Sequence, residues 1–341
     1  MSKVRYLGSK ARLVEEIRAA IGEPIPNQRF VDLFCGTGIV SHVMGNNGWP
    51  VITNDFLQAA SIVTTASLLT SQEVPFKKLG GYEKTILLLN GLKGKKGFFY
   101  REYSPSKNNR ECLSRPYFSE ENAKKIDAIR GKIKLWYLEK KISSLEKKLL
   151  LADLIGAANQ VANIAGTYGC FLKQLSKQAL KPLFLENREF NEKPLDWESH
   201  NKDAFEIKAN ANDVVYLDPP YTKRQYAAYY HIPETIACED EPTVEGVTGL
   251  RPWMTKSSPF CYKAHASAAM QKLISGIDSN RILISYSSDG HISYKKLISI
   301  AKEFGTVSVK KINNFSRYSP NVTATKRPKK ALTEYLINID R

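Results

Sequence analysis

Residues 29–56 read RFVDLFCGTGIVSHVMGNNGWPVITNDF. The segment RFVDLFCGTG, 29–38, is a short apolar run that ends in a glycine turn, as a buried strand does when it delivers its chain to a loop. IVSHVMGNNG, 39–48, predicts a helix that stops at Gly45–Gly48. WPVITNDF, 49–56, predicts a second strand closing on an acid. Strand, glycine turn, helix and strand make a βαβ unit, which implies a parallel sheet with a ligand at the carboxyl ends of its strands. An α/β fold is expected.

Within that unit the glycines Gly36 and Gly38 let the backbone approach a ligand closely. The pattern is only Gly-x-Gly, and Ser41 stands where a dinucleotide fingerprint has its third glycine, so a pyrophosphate site is weakly supported. A tight structural turn explains the glycines as well as a ligand loop does. Asp55, ending the second strand, is placed either to hold ribose hydroxyls or to cap a helix.

Further along, VVYLDPPYTKRQYAAYYH, 214–231, sets a strand-like run against Asp-Pro-Pro-Tyr. Asp218 precedes a proline and is pushed to extended geometry, and Pro219 and Pro220 stiffen the turn. The Asp218 carboxylate and the Pro219 carbonyl make a pair of acceptors suited to the two hydrogens of an amino group. Tyr221 offers a flat face on which a nucleobase can stack, worth about 1–3 kcal/mol. An exocyclic amine on a base is a poor nucleophile because its lone pair is delocalised into the ring. Two acceptors that draw its hydrogens out of plane localise that lone pair.

Outside these stretches, the chain of 341 residues has 43% apolar and 25% charged residues, the composition of an ordinary globular protein with ample material for a core. Lys and Arg outnumber Asp and Glu by 50 to 34, an excess that favours polyanions, nucleic acid above all. Cys35, Cys112, Cys170, Cys238 and Cys261 are odd in number and form no Cys-x-x-Cys pair. Reduced thiols are expected, with neither a disulfide framework nor a thiolate metal site. The first residues have no apolar signal core, and no run approaches the ~18 apolar residues of a membrane span. A soluble cytoplasmic protein is expected.

A helix is predicted over 11–21 from Leu13, Ile17 and Ile21, and strands over 213–217, 281–287, 306–312 and 333–339. The last two are separated by a basic loop with Arg317, Lys326, Arg327, Lys329 and Lys330. Residues 59–199 differ in character. They carry 24 Lys and Arg against 15 Asp and Glu, include a basic aromatic stretch at 93–110, and show helical spacing at Ile126, Ile129, Ile133 and Trp136, then Leu145 and Leu149. The expected organisation is one α/β domain, 1–58 plus 200–341, interrupted by a mostly helical insert, 59–199.

DPPY at 218–221, FVDLFCGTG at 30–38 and RYLGSK at 5–10, in this order, resemble the adenine-N6 DNA methyltransferases of the Dam-like, D12 class, many of which serve restriction–modification systems. The similarity extends more loosely to RPYFSEENAKKIDAIR, NIAGTYGCFL, QYAAYYHIPETIA and the closing TEYLI. The resemblance implies a Rossmann-like class I methyltransferase sheet, with 59–199 as a target-recognition insert and S-adenosylmethionine as cofactor. It implies that Tyr6 and Lys10 contact the cofactor, Lys10 at its methionine carboxylate. Asp32 would lie near its amino group, Phe34, Gly36 and Gly38 along its methionine side, Asp55 at its ribose and Asp203 near its adenine. Asp218, Pro219, Pro220 and Tyr221 would grip a flipped-out adenine of duplex DNA and place its amine in line with the sulfonium methyl. No metal is required.

Basic surface must offset the cost of flipping. Lys95, Lys96, Arg101, Arg317, Lys326 and Arg327 are candidate phosphate contacts, and TKRQY, 222–226, places Arg224 and Gln225 next to the catalytic turn. GTYG, 166–169, is a recognition loop or a helix cap followed by a packed tyrosine. His231 and Glu234, three apart with Pro233 expected to interrupt regular helix between them, receive no catalytic role. The partners expected are double-stranded DNA and a cognate restriction endonuclease encoded separately. Competing readings are an RNA adenine-N6 or cytosine-N4 methyltransferase, an idle DNA-binding specificity subunit, and a nicotinamide oxidoreductase. The complete DPPY favours adenine, and the missing third glycine counts against the oxidoreductase.

Overall fold

The computed structural model describes residues 10–105, 114–315 and 332–341. These fall into two compact units, one made of 10–64, 195–226 and 256–341 and the other of Thr65–Pro194 with Ala227–Thr255. The sequence placed 227–255 with the first unit, and the structure places it with the second. Tyr6, Cys112, Arg317, Lys326 and Arg327 lie outside the described residues.

The first unit holds a seven-stranded sheet made of β1 (Phe30–Asp32), β2 (Val51–Asn54), β3 (Trp197–His200), β4 (Val214–Leu217), β5 (Arg281–Ser287), β6 (Thr306–Phe315) and β7 (Leu332–Asp340). Their order is β3-β2-β1-β4-β5-β7-β6. β1 to β5 pair in parallel, and β7 runs antiparallel between β5 and β6. This is the α/β sheet expected of a class I methyltransferase. The predicted βαβ unit is present as β1, the helix Ile39–Asn46 and β2, with Phe30 opposite Val51.

β1, β2 and β4 are buried throughout because helices cover both faces of a parallel sheet. Alternate residues serve opposite cores. Phe30, Val214, Tyr216 and Leu283 pack with Ile17, Ile21 and Met44 of the helices Val14–Ile21 and Ile39–Asn46. Val31, Val215, Leu217 and Ile282 pack with Leu273, Leu297 and Ile300 of the helices Ala266–Gly276 and Tyr294–Lys302. Arg29 grips Asp213 through two hydrogen bonds of 2.9 and 2.7 Å, tying the start of β1 to that of β4. β3 has no counterpart in the sequence reading. It is a polar edge strand, WESH, whose order comes from pairing with β2 rather than from an apolar run.

The second unit is helical, with Tyr82–Asn90, Phe98–Glu102, Glu120–Leu138, Ser144–Gln160 and His231–Cys238 among its helices. Ser119 caps Glu120–Leu138, and Ser143 with Glu146 forms a capping box on Ser144–Gln160. Ile126, Ile129, Ile133, Trp136 and Leu149 are buried, as their spacing predicts, and Leu145 is half-buried. Arg130 donates to the carbonyls of Thr235 (3.3 Å) and Asp240 (2.7 Å), and Arg115 to those of Val247 (3.3 Å) and Gly246 (3.2 Å). These bonds join 227–255 to the rest of the unit.

Pro233 does not interrupt the helix His231–Cys238. It sits in the first turn, where a missing N–H removes no helical bond. His231 is fully buried, with the rings of Tyr103 and Tyr117 each 5.7 Å away. Burial lowers its pKa to about 3, so the ring is neutral and Nε2–H donates to the Tyr168 carbonyl at 3.0 Å. The Tyr117 hydroxyl donates to the same carbonyl at 2.8 Å, so GTYG is built as a packed tyrosine. Among the described residues no helix is long and apolar enough to cross a membrane.

Candidate active site

The sheet brings its functional candidates to one end. Asp32 is the last residue of β1, Asp55 follows β2, and Asp218 follows β4. β7 runs the other way, so its early residues lie at that same end, with Glu334 opposite Ser287 of β5.

Asp32 is 1% exposed. It accepts from the Ser41 hydroxyl at 2.6 Å and from the Phe34 N–H at 3.4 Å. Burial pushes its pKa up to about 7, against the pull of Ser41, and the charges of Asp218 and Asp55 push in the same direction. Among the described residues no cation forms an ion pair with it. Gly36 and Gly38 have φ of 55° and 78°, the left-handed region that favours glycine. The Gly36 N–H donates to Asp55 Oδ2 at 3.0 Å, while Asp55 Oδ1 accepts from Leu57 N–H at 2.9 Å. Asp55 thus holds the glycine loop and the turn into the next helix at once.

Asp203 accepts from the Phe205 N–H at 3.2 Å. Its segment is attached to the end of β2, because Asn54 exchanges hydrogen bonds of 3.0 and 3.1 Å with Lys202 and Asn201 donates to the Asp55 carbonyl at 2.7 Å. Phe34 meets Phe260 edge-on at 5.7 Å, and Phe205 stacks on Phe260 at 6.0 Å. Together they form an aromatic wall beside the glycine loop.

Lys10 is buried and reaches two carboxylates, Asp218 Oδ1 at 2.8 Å and Glu334 Oε1 at 3.0 Å. Its ammonium also lies 5.2 Å from the centre of the Tyr221 ring. Burial alone would lower its pKa, but the acids outweigh burial and hold it well above the usual lysine range. The Tyr221 ring lies 5.4 Å from that of Tyr286, and its carbonyl accepts from His291 N–H at 2.8 Å. Pro219 is buried and Pro220 half-buried.

The basic candidates divide. Arg224 is exposed, whereas the Gln225 amide is buried and bonds both ways to the Ser258 backbone, at 3.0 and 2.8 Å. Gln225 therefore fixes the loop after the Asp-Pro-Pro-Tyr turn, and its amide is taken up by the Ser258 backbone. Lys95 and Lys96, in the helical unit, are exposed. Their loop is anchored by Asp127, which accepts from the N–H groups of Gly97 (3.1 Å), Phe99 (3.0 Å) and Tyr100 (2.9 Å). Arg101 is exposed but paired with Glu102 at 3.2 Å and Glu241 at 3.5 Å. Among the described residues no three His, Cys, Asp or Glu side chains are grouped to hold a metal ion.

Sequence reasoning missed Ser41, Tyr286 and Glu334 as site residues. Ser41 was visible only as a departure from a glycine pattern. Glu334 lies in the closing TEYLI, where nothing local marks an acid within a strand as part of a site.

Known proteins resemble this chain in sequence. Residues 6–300 match the D12 class N6 adenine-specific DNA methyltransferase family. The chain is 34% identical over 343 residues to the Type II methyltransferase M.NlaIII of Neisseria lactamica, covering 98% of each. It is 33% identical over 334 residues to the modification methylase StsI of Streptococcus sanguinis and 34% over 346 residues to the Type II methyltransferase M.FokI of Planomicrobium okeanokoites. It spans only about half the length of these two, 50% and 53%. By sequence match, this chain belongs to the D12 class of N6 adenine-specific DNA methyltransferases.

Proposed function

We propose that the chain transfers the methyl group of S-adenosylmethionine to N6 of an adenine flipped out of duplex DNA, at a specific site, as the protective methylase of a restriction–modification system. The observation that carries this reading is the register of β1 against β4. Asp32 pairs with Tyr216, so the glycine loop and the Asp218–Tyr221 turn leave adjacent parallel strands side by side, where a methyl donor and a base amine can meet.

The residues present fit the cofactor. Asp32 is a buried acid with no cation paired to it among the described residues, suited to an α-ammonium group. The positive-φ glycines would let a methionine moiety approach the backbone, Asp55 beside them suits a ribose, and the Phe34, Phe260 and Phe205 wall with Asp203 suits an adenine. When bound, the cofactor supplies an electrophilic methyl on its sulfonium. The Asp218 carboxylate and the Pro219 carbonyl accept the two amine hydrogens, Tyr221 holds the base plane, and the amine lone pair is left pointing at the methyl carbon. With the cofactor bound, methyl transfer would exchange the sulfur–carbon bond for a nitrogen–carbon bond, and the proton released by the amine would pass to an acceptor at the site. Preorganised acceptors of this kind favour the transition state, where the nitrogen becomes positive, over the ground state.

The helical unit supplies target recognition in this reading, with Lys95 and Lys96 at phosphates. The setting is the cytoplasm, with a separately encoded endonuclease as counterpart. Long-read sequencing of DNA from an unmethylated host expressing this chain or its Asp218→Ala variant tests the proposal. N6-methyladenine at one recurring motif, absent with the variant, is expected. Unmodified DNA alongside methylated RNA would move the activity to RNA, and a folded protein that binds no cofactor would make it an idle specificity subunit.

A further inference from the structure

The buried pair Lys10 and Asp218 is electrically complete by itself, yet a third charged group stands beside it. Glu334, in β7, is 0% exposed and contacts Lys10 at 3.0 Å, nearly as closely as Asp218 does at 2.8 Å. Burying a second carboxylate next to a neutral pair leaves an excess negative charge that folding must tolerate. Packing alone would be better served by an apolar residue of the same size. Glu334 is also fixed in place. Its Oε1 accepts from the Ser285 hydroxyl at 2.9 Å, and β7 pairs on one side with β5 and on the other with β6. Its Oε2 has no hydrogen-bond partner among the described residues, so Lys10 and Ser285 carry its contacts there.

Lysine is a point charge on a flexible stem. Held by Asp218 alone, it would swing with that side chain and concentrate its charge on it. An anchored second carboxylate pins the ammonium from the far side and divides its attraction. We infer that Glu334 is a positioning residue for methyl transfer: through Lys10 it fixes the Asp218 carboxylate and keeps it a strong acceptor for the amine hydrogens of the target base. The inference rests on the function proposed above and adds to it a residue that contacts neither base nor cofactor. It also gives Lys10 a place between two acids rather than at the cofactor's carboxylate.

Among the described residues, the groups facing Lys10 are Asp218, Tyr221, Glu334 and Tyr216, with Asp32 next to Asp218. Replacing Glu334 by the uncharged Gln removes one anion from this set and leaves Asp218 alone with the cation. Asp218 then holds a proton less readily, so the acid limb of the pH profile of kcat should move to lower pH.

The test is steady-state and single-turnover methylation of duplex DNA by the full chain, wild type against Glu334→Gln and Glu334→Asp, with S-adenosylmethionine binding measured directly. For Glu334→Gln the expected result is a kcat about tenfold lower, unchanged cofactor affinity and the acid limb displaced downward. Glu334→Asp, which keeps the charge but retracts it, should lose less and shift less. A folded Glu334→Gln with wild-type kcat and acid limb overturns the inference, as does an equal loss in both variants. If Glu334→Gln does not fold, Glu334→Asp decides, since wild-type kcat and acid limb there overturn the inference. A wild type that methylates no adenine overturns the functional reading, and this inference with it.

Discussion

Tyr286 lies under Tyr221, with ring centres 5.4 Å apart and planes inclined by 58°. Tyr286 is itself fixed, because its hydroxyl accepts from the Ile292 N–H at 2.9 Å and its ring fills the space a side chain at Gly290 would need. The face offered by Tyr221 is therefore held from behind by a second ring. Tyr286→Leu should reduce kcat/KM for DNA by about tenfold, the scale of a weakened stacking contact, and leave S-adenosylmethionine affinity unchanged. Parallel kinetics and cofactor titration check this, and equal losses in both would argue for general disruption of the sheet.

Asp32 gives a proton signature. With its pKa pushed up to about 7 by burial, it is largely protonated at pH 6 in the cofactor-free protein. An ammonium group placed against it favours the carboxylate, so cofactor binding at pH 6 should release close to one proton. Calorimetry in two buffers of different ionisation enthalpy measures that release, and Asp32→Asn should abolish it. The same shift makes the free protein lose stability as the pH rises from about 4 through 7, since the native state holds a proton the unfolded chain has already released. Asp32→Asn should flatten that slope.

His231 acts with the opposite sign. Its pKa is lowered by burial to about 3. Its stabilising contribution is thus fully present above about pH 6.5 and declines as the pH falls towards 3, by at most about 1.4 kcal/mol per pH unit. His231→Gln keeps a donor for the Tyr168 carbonyl but cannot titrate. It should be about 1–3 kcal/mol less stable at pH 7, yet less sensitive to acid between pH 6.5 and 4. Denaturant unfolding across that range separates the two effects.

Lys95 and Lys96 stand on a loop that Asp127 anchors by three backbone N–H groups. If both reach phosphates, replacing them together by Ala should weaken binding to all sequences alike and lower the salt-dependence slope by about 2. Arg101, already paired with Glu102 and Glu241, should change the slope less. Affinity measured at several salt concentrations distinguishes them.

The sequence showed some of this arrangement and hid the rest for physical reasons. The β1–helix–β2 unit was legible because buried parallel strands are continuous apolar runs and the turn between them is marked by glycine. β3 was not, because an edge strand draws its order from a neighbour's backbone and WESH carries almost no apolar signal. Residues 227–255 join the helical unit through arginines reaching carbonyls more than a hundred positions away, which no local pattern announces. Gln225 beside the catalytic turn suggested a DNA contact, and the structure spends its amide on Ser258. The acids Asp55 and Asp218 were found because each ends a strand, and Asp32 only through the resemblance its motif carries. Glu334 was not, because its meaning depends on β7 running backwards.

That reversal has a consequence for the life of the chain on the ribosome. Synthesis delivers the glycine loop and the Asp-Pro-Pro-Tyr turn early, but the strand that wedges between β5 and β6 comes later than either. Until it inserts, β5 and β6 have no common neighbour and Lys10 has only one of its two acids. The set of charges around Lys10 is therefore completed only once β7 has paired with its neighbours.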